Sequence, residues 1–167
     1  SVIDRVVEHM TQRNGNPHRG SHILAIEASE DYENARDRVV EFINAREREE
    51  VIFTRNSTES MNLIAHSYGL HNVKKGDKIV ITVAEHHANL VTWQYVAEQT
   101  GATLEYMYLD EHGHLKDGEI NKIDEKTKIV AFAHVSNVLG MEFPVKELTE
   151  KARSVGAIVV LDGAQST

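Results

Sequence analysis

The chain has 167 residues, an apolar fraction of 41% and a formal net charge of −8 at pH 7. This length and apolar content suffice for a folded domain with a buried core, whereas the negative charge disfavours nucleic acid and anionic membranes as partners. No apolar run approaches the about 20 residues of a transmembrane helix, and the absence of cysteine excludes disulfides and thiol nucleophiles within these residues. The first residues predict an amphipathic helix rather than a signal peptide, so we expect a cytoplasmic location.

The first 50 residues predict two helices joined by a polar loop. A one-sided apolar stripe predicts a helix over residues 1–13, carried by Ile3, Val6, Val7 and Met10. Glycine and proline then indicate a loop over residues 14–22. A second helix is predicted over residues 29–45, with Ser29 as its N-cap.

From residue 51 onward, strands and helices alternate. The strands are predicted at residues 51–54, 78–82, 104–109, 129–133 and 158–161. Helical patterns separate them, ending near Gly69, at Gly101 and at Gly156, with a short helix over residues 117–123. This alternation indicates βαβ crossovers, and it predicts an α/β fold with a mostly parallel sheet and flanking helices.

In such a sheet, ligands bind beyond the carboxyl ends of the strands, so the junctions that follow the strands are informative. Ser57 and Thr58 follow the strand at 51–54, where hydroxyls and free N–H groups at a helix start suit phosphate. The alternative is that one of the two simply caps the helix.

Two adjacent histidines, His86 and His87, follow the strand at 78–82. Neighbouring side chains on a helix point about 100° apart, so chelation of one metal ion by both is awkward. The pair His112 and His114 lies in a predicted exposed turn. We therefore predict no metal site, and favour an acid–base or ring-stacking role at the first pair.

Polar side chains also follow the last two predicted strands. Asn137 comes after the strand at 129–133, where it either forms a turn or holds a ligand oxygen. Asp162 and Gln165 end the last strand, where a carboxylate either caps a following helix or pairs with a cationic ring nitrogen. Together the junctions offer a phosphate cradle, an imidazole, amides and a carboxylate, which are the groups that pyridoxal 5'-phosphate (PLP) needs.

Five stretches carry a resemblance to a known family: residues 18–22, 55–59, 85–89, 134–140 and 161–165. In order and spacing they resemble the class V aminotransferase family of fold-type I PLP enzymes. The similarity is greatest to its cysteine desulfurase and selenocysteine lyase branch. The fold that this resemblance implies is the front part of the family's large domain.

The resemblance implies a role for the residues that would face the cofactor. Ser57 and Thr58 would hold its phosphate. His86 would stack on the pyridine ring and act as the catalytic residue in proton transfer. Asp162 would pair with the pyridine nitrogen.

Four further residues take roles by the same resemblance. Asn137 and Gln165 would contact the ring oxygen or the substrate. His18 and Arg19 would lie on a loop that borders the active site, close to the partner subunit of a homodimer.

The chain departs from the family pattern at two places. Asn56 stands where the branch commonly has glycine, which adds a side chain at a turn. The family's cofactor lysine lies in a Ser-x-His-Lys motif beyond Asp162, followed by a nucleophilic cysteine and by arginines that bind substrate. Lys146 and Lys151 fall on the helix before the last strand and do not replace that lysine.

We therefore expect an N-terminal fragment that is inactive by itself. Residues 1–50 would form an N-terminal helical segment and active-site loop, and residues 51–167 a partial PLP-binding large domain, truncated after residues 162–165. The resemblance also implies that strands beyond Asp162 lie between the strand at 51–54 and the others.

The parent protein is expected to be a cysteine desulfurase, which converts L-cysteine to L-alanine and an enzyme persulfide that supplies iron–sulfur cluster assembly. Its partners would be L-cysteine or selenocysteine, a second copy of itself and a sulfur-acceptor protein. The alternatives are another class V enzyme (aminotransferase, selenocysteine lyase or epimerase) and a non-catalytic α/β interaction module.

Overall fold

The computed structural model describes residues 1–166, and the chain divides into two compact units, Ser1–Phe53 and Thr54–Thr167. None of the helices within residues 1–166 is long and apolar enough to cross a membrane. The predicted domain boundary at residue 50 stays a prediction.

The first unit contains two α-helices and a short 3₁₀ helix. Helix α1 spans Val2–Gln12 and begins with a capping box formed by Ser1 and Asp4. Helix α2 spans Ile23–Ile43, and the 3₁₀ helix spans Arg48–Glu50. All five large apolar side chains of α1 are exposed: Val2, Ile3, Val6, Val7 and Met10.

Helix α2 begins earlier than predicted, so Ser29 is not its N-cap. His22 occupies that position, and its Nδ1 accepts a hydrogen bond from the Ala25 N–H at 3.3 Å. Ser29 lies within the helix, where its hydroxyl donates to the Ala25 carbonyl at 2.7 Å. The helix begins before Ser29 because Ala25 and Ala28 are buried, and their packing stabilises helical structure at these positions.

The predicted strand at residues 51–54 is wrong, because the segment has no strand partner within residues 1–166. A strand is defined by ladder hydrogen bonds. Here the Val51 N–H donates to the Arg48 carbonyl at 3.0 Å, and the Val51 carbonyl accepts from Arg36 Nε at 3.1 Å. The backbone groups of Val51 are therefore satisfied locally.

The second unit alternates helices with strands, as predicted. Its α-helices are α3 (Ser57–Ile64), α4 (Leu70–Asn72), α5 (His87–Thr100) and α6 (Val145–Ser154). A π-helical turn, Ala65–Gly69, joins α3 to α4, and a 3₁₀ helix spans Glu119–Lys122. The strands are β1 (Lys78–Thr82), β2 (Thr103–Met107), β3 (Thr127–Ala133) and β4 (Ile158–Asp162).

The four strands form one sheet in the order β2-β1-β3-β4, and every neighbouring pair is parallel. The predicted parallel α/β sheet is thereby confirmed. Strand β2 lies on one side of β1, and the next strand along the chain, β3, lies on the other side of β1. The direction in which strands are added to the sheet therefore reverses between β1 and β3. Such a reversal opens a crevice at the carboxyl ends of the two strands, where ligands bind in α/β folds.

Both faces of the sheet are covered. Side chains alternate along a strand, so Ile79 and Ile81 of β1 join one core cluster with Trp93 of α5, whereas Val80 joins the other cluster with Leu148 of α6. All five residues of β1 are buried. Burial on both sides explains the continuous apolar runs of the two central strands, β1 and β3.

The amino end of β1 carries a buried lysine. Lys78 Nζ lies 2.8 Å from an Asp124 carboxylate oxygen and 3.2 Å from one of Glu105. Burial alone would lower the pKa of Lys78, but its bonds to the two carboxylates outweigh burial and raise it. The hydrogen bond from Lys78 lowers the pKa of Asp124.

Leu148→Ala should lower the free energy of unfolding by about 2–5 kcal/mol, because it removes a fully buried helical side chain from the core. The control is Leu63→Ala, the same change on α3 at a residue that is 43% exposed. Urea denaturation followed by circular dichroism measures both. Equal losses would contradict the assignment of Leu148 to the core.

The lowered pKa of Asp124 predicts a pH dependence of stability. Its contribution is present above about pH 4, the ordinary value for aspartate, and is lost as the pH falls through the lowered folded-state value. Asp124→Asn should therefore lower stability at neutral pH and narrow its difference from wild type at acid pH. Denaturant titrations at several pH values measure this, and Asp117→Asn, at an exposed residue, should keep the wild-type profile.

Candidate active site

A cavity of about 270 Å³ opens at the carboxyl ends of β3 and β4 and beside the starts of α3 and α5. All six residues predicted to bind a cofactor line it: Ser57, Thr58, His86, Asn137, Asp162 and Gln165. Their chemical roles stay predictions. A larger cavity of about 550 Å³ lies among residues 113–120 and 142–147, and none of the six lines it.

Neither Ser57 nor Thr58 caps helix α3. Asn56 is the N-cap, and its side-chain oxygen accepts from the Glu59 N–H at 2.9 Å. Ser57 and Thr58 are therefore the first two residues of the helix, where N–H groups have no acceptor within the helix. With the cap supplied by Asn56, their hydroxyls and first-turn N–H groups lie at the positive end of the helix dipole and can bind an anion.

His86 follows β1 and is the N-cap of α5. Its Nδ1 accepts from the Ala88 N–H at 3.1 Å. A backbone N–H only donates, so Nδ1 carries a lone pair and the proton of the neutral ring lies on Nε2. This bond leaves Nε2 as the nitrogen available for proton transfer.

His87 is arranged differently from its neighbour. The two rings meet edge to face with centroids 6.2 Å apart. His87 lies in an adjoining groove with His66 and Tyr95, which His86 also lines, but His87 does not line the 270 Å³ cavity. Among residues 1–166, no group of three or more His, Cys, Asp or Glu side chains could hold a metal ion.

Asp162 ends β4 and is only 6% exposed. Its Oδ1 accepts from the Ala164 N–H at 3.0 Å, and its carbonyl accepts from the His134 N–H at 2.8 Å. The carboxylate is thus fixed at the end of the sheet. Gln165 lies three residues further on, in the turn over residues 163–166, and is exposed.

Asn137 lies exposed on a loop closed by a bridge between Val135 and Glu142. Buried Ser136 organises this loop, because its hydroxyl accepts from the Leu139 N–H at 3.2 Å. The left-handed turn position belongs to Gly140, with φ of 66°. Asn137 is therefore not needed for turn geometry, which leaves its amide available to a ligand.

His18 and Arg19 belong to the first unit. His18 has φ of 61°, its N–H donates to Ser29 Oγ at 2.8 Å, and its Nε2 lies 3.2 Å from a Glu33 carboxylate oxygen. Arg19 is exposed, and its N–H donates to the Asn16 carbonyl at 3.3 Å. Their active-site role stays a prediction.

Sequence reasoning missed Glu85, which directly precedes the two histidines. Its carboxylate accepts from the Ala133 N–H at 3.2 Å, from the Asn89 amide at 2.7 Å and from the Thr82 hydroxyl. Burial raises the pKa of Glu85, and the charge of Asp162 adds to the rise. A carboxylate placed between a buried strand and a helix start was the available signal.

Comparisons with known proteins identify the family of this chain. A family model described as aminotransferase class-V matches residues 1–167, so the chain belongs to the class-V aminotransferase family. This confirms the family resemblance carried by the five motifs.

Curated relatives match nearly all of this chain, but the match covers less than half of their own length. A probable cysteine desulfurase of Halalkalibacterium halodurans is 50% identical over 167 residues, which cover 99% of this chain and 41% of the relative. A cysteine desulfurase of Haloferax volcanii is 51% identical over 168 residues, with 99% and 39% covered.

A solved structure extends the likeness to the backbone. The apo cysteine desulfurase of Thermococcus onnurineus NA1 superposes with a TM-score of 0.92 at 43% identity, covering 99% of this chain and 41% of that one. This chain thus spans about 40% of the length of these relatives.

Asn56→Ala should lower the free energy of unfolding by about 1 kcal/mol, because it removes the side chain that caps α3. Asn56→Ser restores a cap acceptor and should recover most of the loss. Thermal and urea denaturation measure both variants. A comparable loss in Ser57→Ala would contradict the assignment of the cap to Asn56.

Proposed function

We propose that this chain forms part of a PLP-dependent cysteine desulfurase, which removes sulfur from L-cysteine to leave L-alanine. The observation that carries the proposal is the convergence of six separate polar residues on one cavity at the carboxyl edge of the sheet. The relatives named cysteine desulfurase support the choice of reaction.

The residues present fit PLP at both of its charged ends. The phosphate would bind the hydroxyls and first-turn N–H groups of Ser57 and Thr58, which the Asn56 cap leaves free for an anion. The pyridine nitrogen would face Asp162, whose ionised carboxylate favours the protonated, cationic form of the nitrogen. Asn137 and Gln165 would orient the ring oxygen or the substrate.

Bound PLP supplies an electron sink that stabilises negative charge at the carbon bearing the substrate amino group. The chain's own contribution is to hold and polarise the ring and to move protons. His86 would stack on the ring, with Nε2 as its proton-transfer atom because Nδ1 is occupied by the Ala88 N–H. The buried position of Asp162 limits water at its carboxylate and strengthens its interaction with the cation.

Two chemical groups of the proposed reaction must come from outside these 167 residues. The chain contains no cysteine to accept sulfur. Among the described residues no lysine lines the cavity, and Lys146 and Lys151 lie on α6. By the proposal, the 167 residues alone bind cofactor weakly and do not turn over cysteine.

The proposal extends to partners and location. The protein would act on a free amino acid in the cytoplasm as a homodimer, with His18 and Arg19 bordering the site, and would pass sulfur to an acceptor protein. The acidic surface indicated by a net charge of −8 suits a location away from nucleic acid and anionic lipid.

The test is made on the protein that carries this chain. Addition of PLP should give an absorbance band that borohydride treatment removes, and L-cysteine should release alanine and sulfur in equal amounts. Asp162→Ala should lower turnover by about 10- to 100-fold, because it removes one charge-assisted bond, while the phosphate contacts retain some cofactor.

Asp117→Ala is the matched control, since it removes an exposed carboxylate, and it should keep wild-type turnover. Wild-type turnover by Asp162→Ala would contradict the assigned role of Asp162. Absence of the PLP band would contradict the enzyme assignment and favour a non-catalytic module. A keto acid as product in place of alanine would indicate an aminotransferase.

A further inference from the structure

Glu85 lies behind the wall of the cavity and joins three elements of the fold. One carboxylate oxygen accepts from the Ala133 N–H at the end of β3 and from the Thr82 hydroxyl at the end of β1. The other oxygen accepts from the Asn89 amide of α5 at 2.7 Å. The carboxylate thus links the strands on both sides of the crevice to the helix that begins beside it.

The same hydrogen bonds continue into the core. The Asn89 side-chain oxygen accepts from Trp93 Nε1 at 2.7 Å, and both residues are fully buried. Glu85 is therefore held at one end of a Glu85–Asn89–Trp93 chain whose other end is fixed by packing. A side chain held in this way transmits the geometry of the core to its neighbours.

The position is unfavourable for a carboxylate considered by itself. Burial raises the pKa of Glu85, and the nearby charge of Asp162 raises it further, so the ionised group lowers stability relative to a neutral one. Local conflicts of this kind concentrate at functional sites.

Glu85 is connected to two walls of the cavity. It is bonded through the chain to His86, and through a hydrogen bond to Ala133, and both of those residues line the cavity. The next residue, His134, donates its N–H to the Asp162 carbonyl at 2.8 Å. One carboxylate therefore fixes the distance between the wall that carries His86 and the wall that ends at Asp162.

We propose that Glu85 is a positioning residue, which holds His86 and the end of β3 in place across the cavity without itself contacting the ligand. The proposal rests on the proposed function for the identity of the ligand, and on the hydrogen bonds alone for the geometry.

The test begins with Glu85→Gln, which keeps the size of the side chain. Its oxygen can still accept from Ala133 and Thr82, but its new NH₂ group faces the NH₂ group of Asn89. If Asn89 rotates to accept, it loses its bond from Trp93, so one bond of the chain is lost in either orientation.

Two readouts follow the variant. In the protein without PLP, the ¹⁵N resonance of His86 Nδ1, assigned by its loss in His86→Gln, should shift or broaden. In the protein with PLP, the dissociation constant should rise about tenfold, which corresponds to about 1.4 kcal/mol. Glu98→Gln, at an exposed residue of α5, is the control and should change neither readout.

A second variant distinguishes a specific effect on His86 from general destabilisation of the fold. Thr82→Val removes one donor to Glu85, together with the acceptor of the Ala84 N–H, and should shift the His86 resonance in the same direction by less. Thr127→Val is its control, because it removes an equally buried hydroxyl at the opposite end of the sheet, where the partner is Asp124.

An unchanged His86 resonance in Glu85→Gln would overturn the positioning role. A similar shift in Thr127→Val would also overturn it, because the shift would then report general loosening. If the wild type bound no PLP while the His86 resonance responded as expected, the positioning role would stand and the proposed function would fail.

Discussion

The parallel alignment of β1 and β3 is the constraint on which the rest of the second unit depends. Because both strands run in the same direction, their carboxyl ends meet at one edge, and the chain leaves that edge on both sides of the sheet. The adjoining pair of β3 and β4 brings Asp162 to the same edge. Residues separated by about 80 positions in sequence, such as His86 and Asp162, come to line one cavity for this reason.

The helix starts at this edge perform structural and chemical tasks with different atoms. Asn56 caps α3 with its side chain, which leaves the neighbouring hydroxyls of Ser57 and Thr58 unoccupied by capping. His86 caps α5 through Nδ1 and keeps Nε2. A cap and a ligand site are therefore compatible in one residue or in adjacent ones, and they do not compete as alternative explanations.

Buried charged side chains lie near both ends of β1, but only the one at the amino end is paired with opposite charges. At the amino end, Lys78 meets Asp124 and Glu105, whose opposite charges offset its desolvation. At the carboxyl end, Glu85 receives only neutral donors, and its charged neighbour Asp162 has the same sign. The uncompensated charge lies beside the cavity, where a cationic group bound at Asp162 would reduce the repulsion.

The sequence by itself determined the class of fold and the residues of the cavity. Apolar runs such as residues 129–133 are continuous because the central strands are buried on both faces, and polar residues follow the strands because the cavity lies at their carboxyl ends. The apolar runs and the polar residues that follow them are local patterns, so they can be recognised in the sequence. The family resemblance supplied proposed chemical roles that no local pattern could give.

Only the tertiary structure decided which groups satisfy one another. Residues 51–54 look like a strand, but a strand needs a ladder partner, and none lies beside them within the described residues. Ser29 resembles a cap, but the burial of Ala25 and Ala28 extends the helix past it. Glu85 was overlooked because the Ala133 N–H is 48 residues away in sequence. Hydrogen bonds between distant segments leave no periodic signal in a sequence, since they depend on packing that the whole chain determines together.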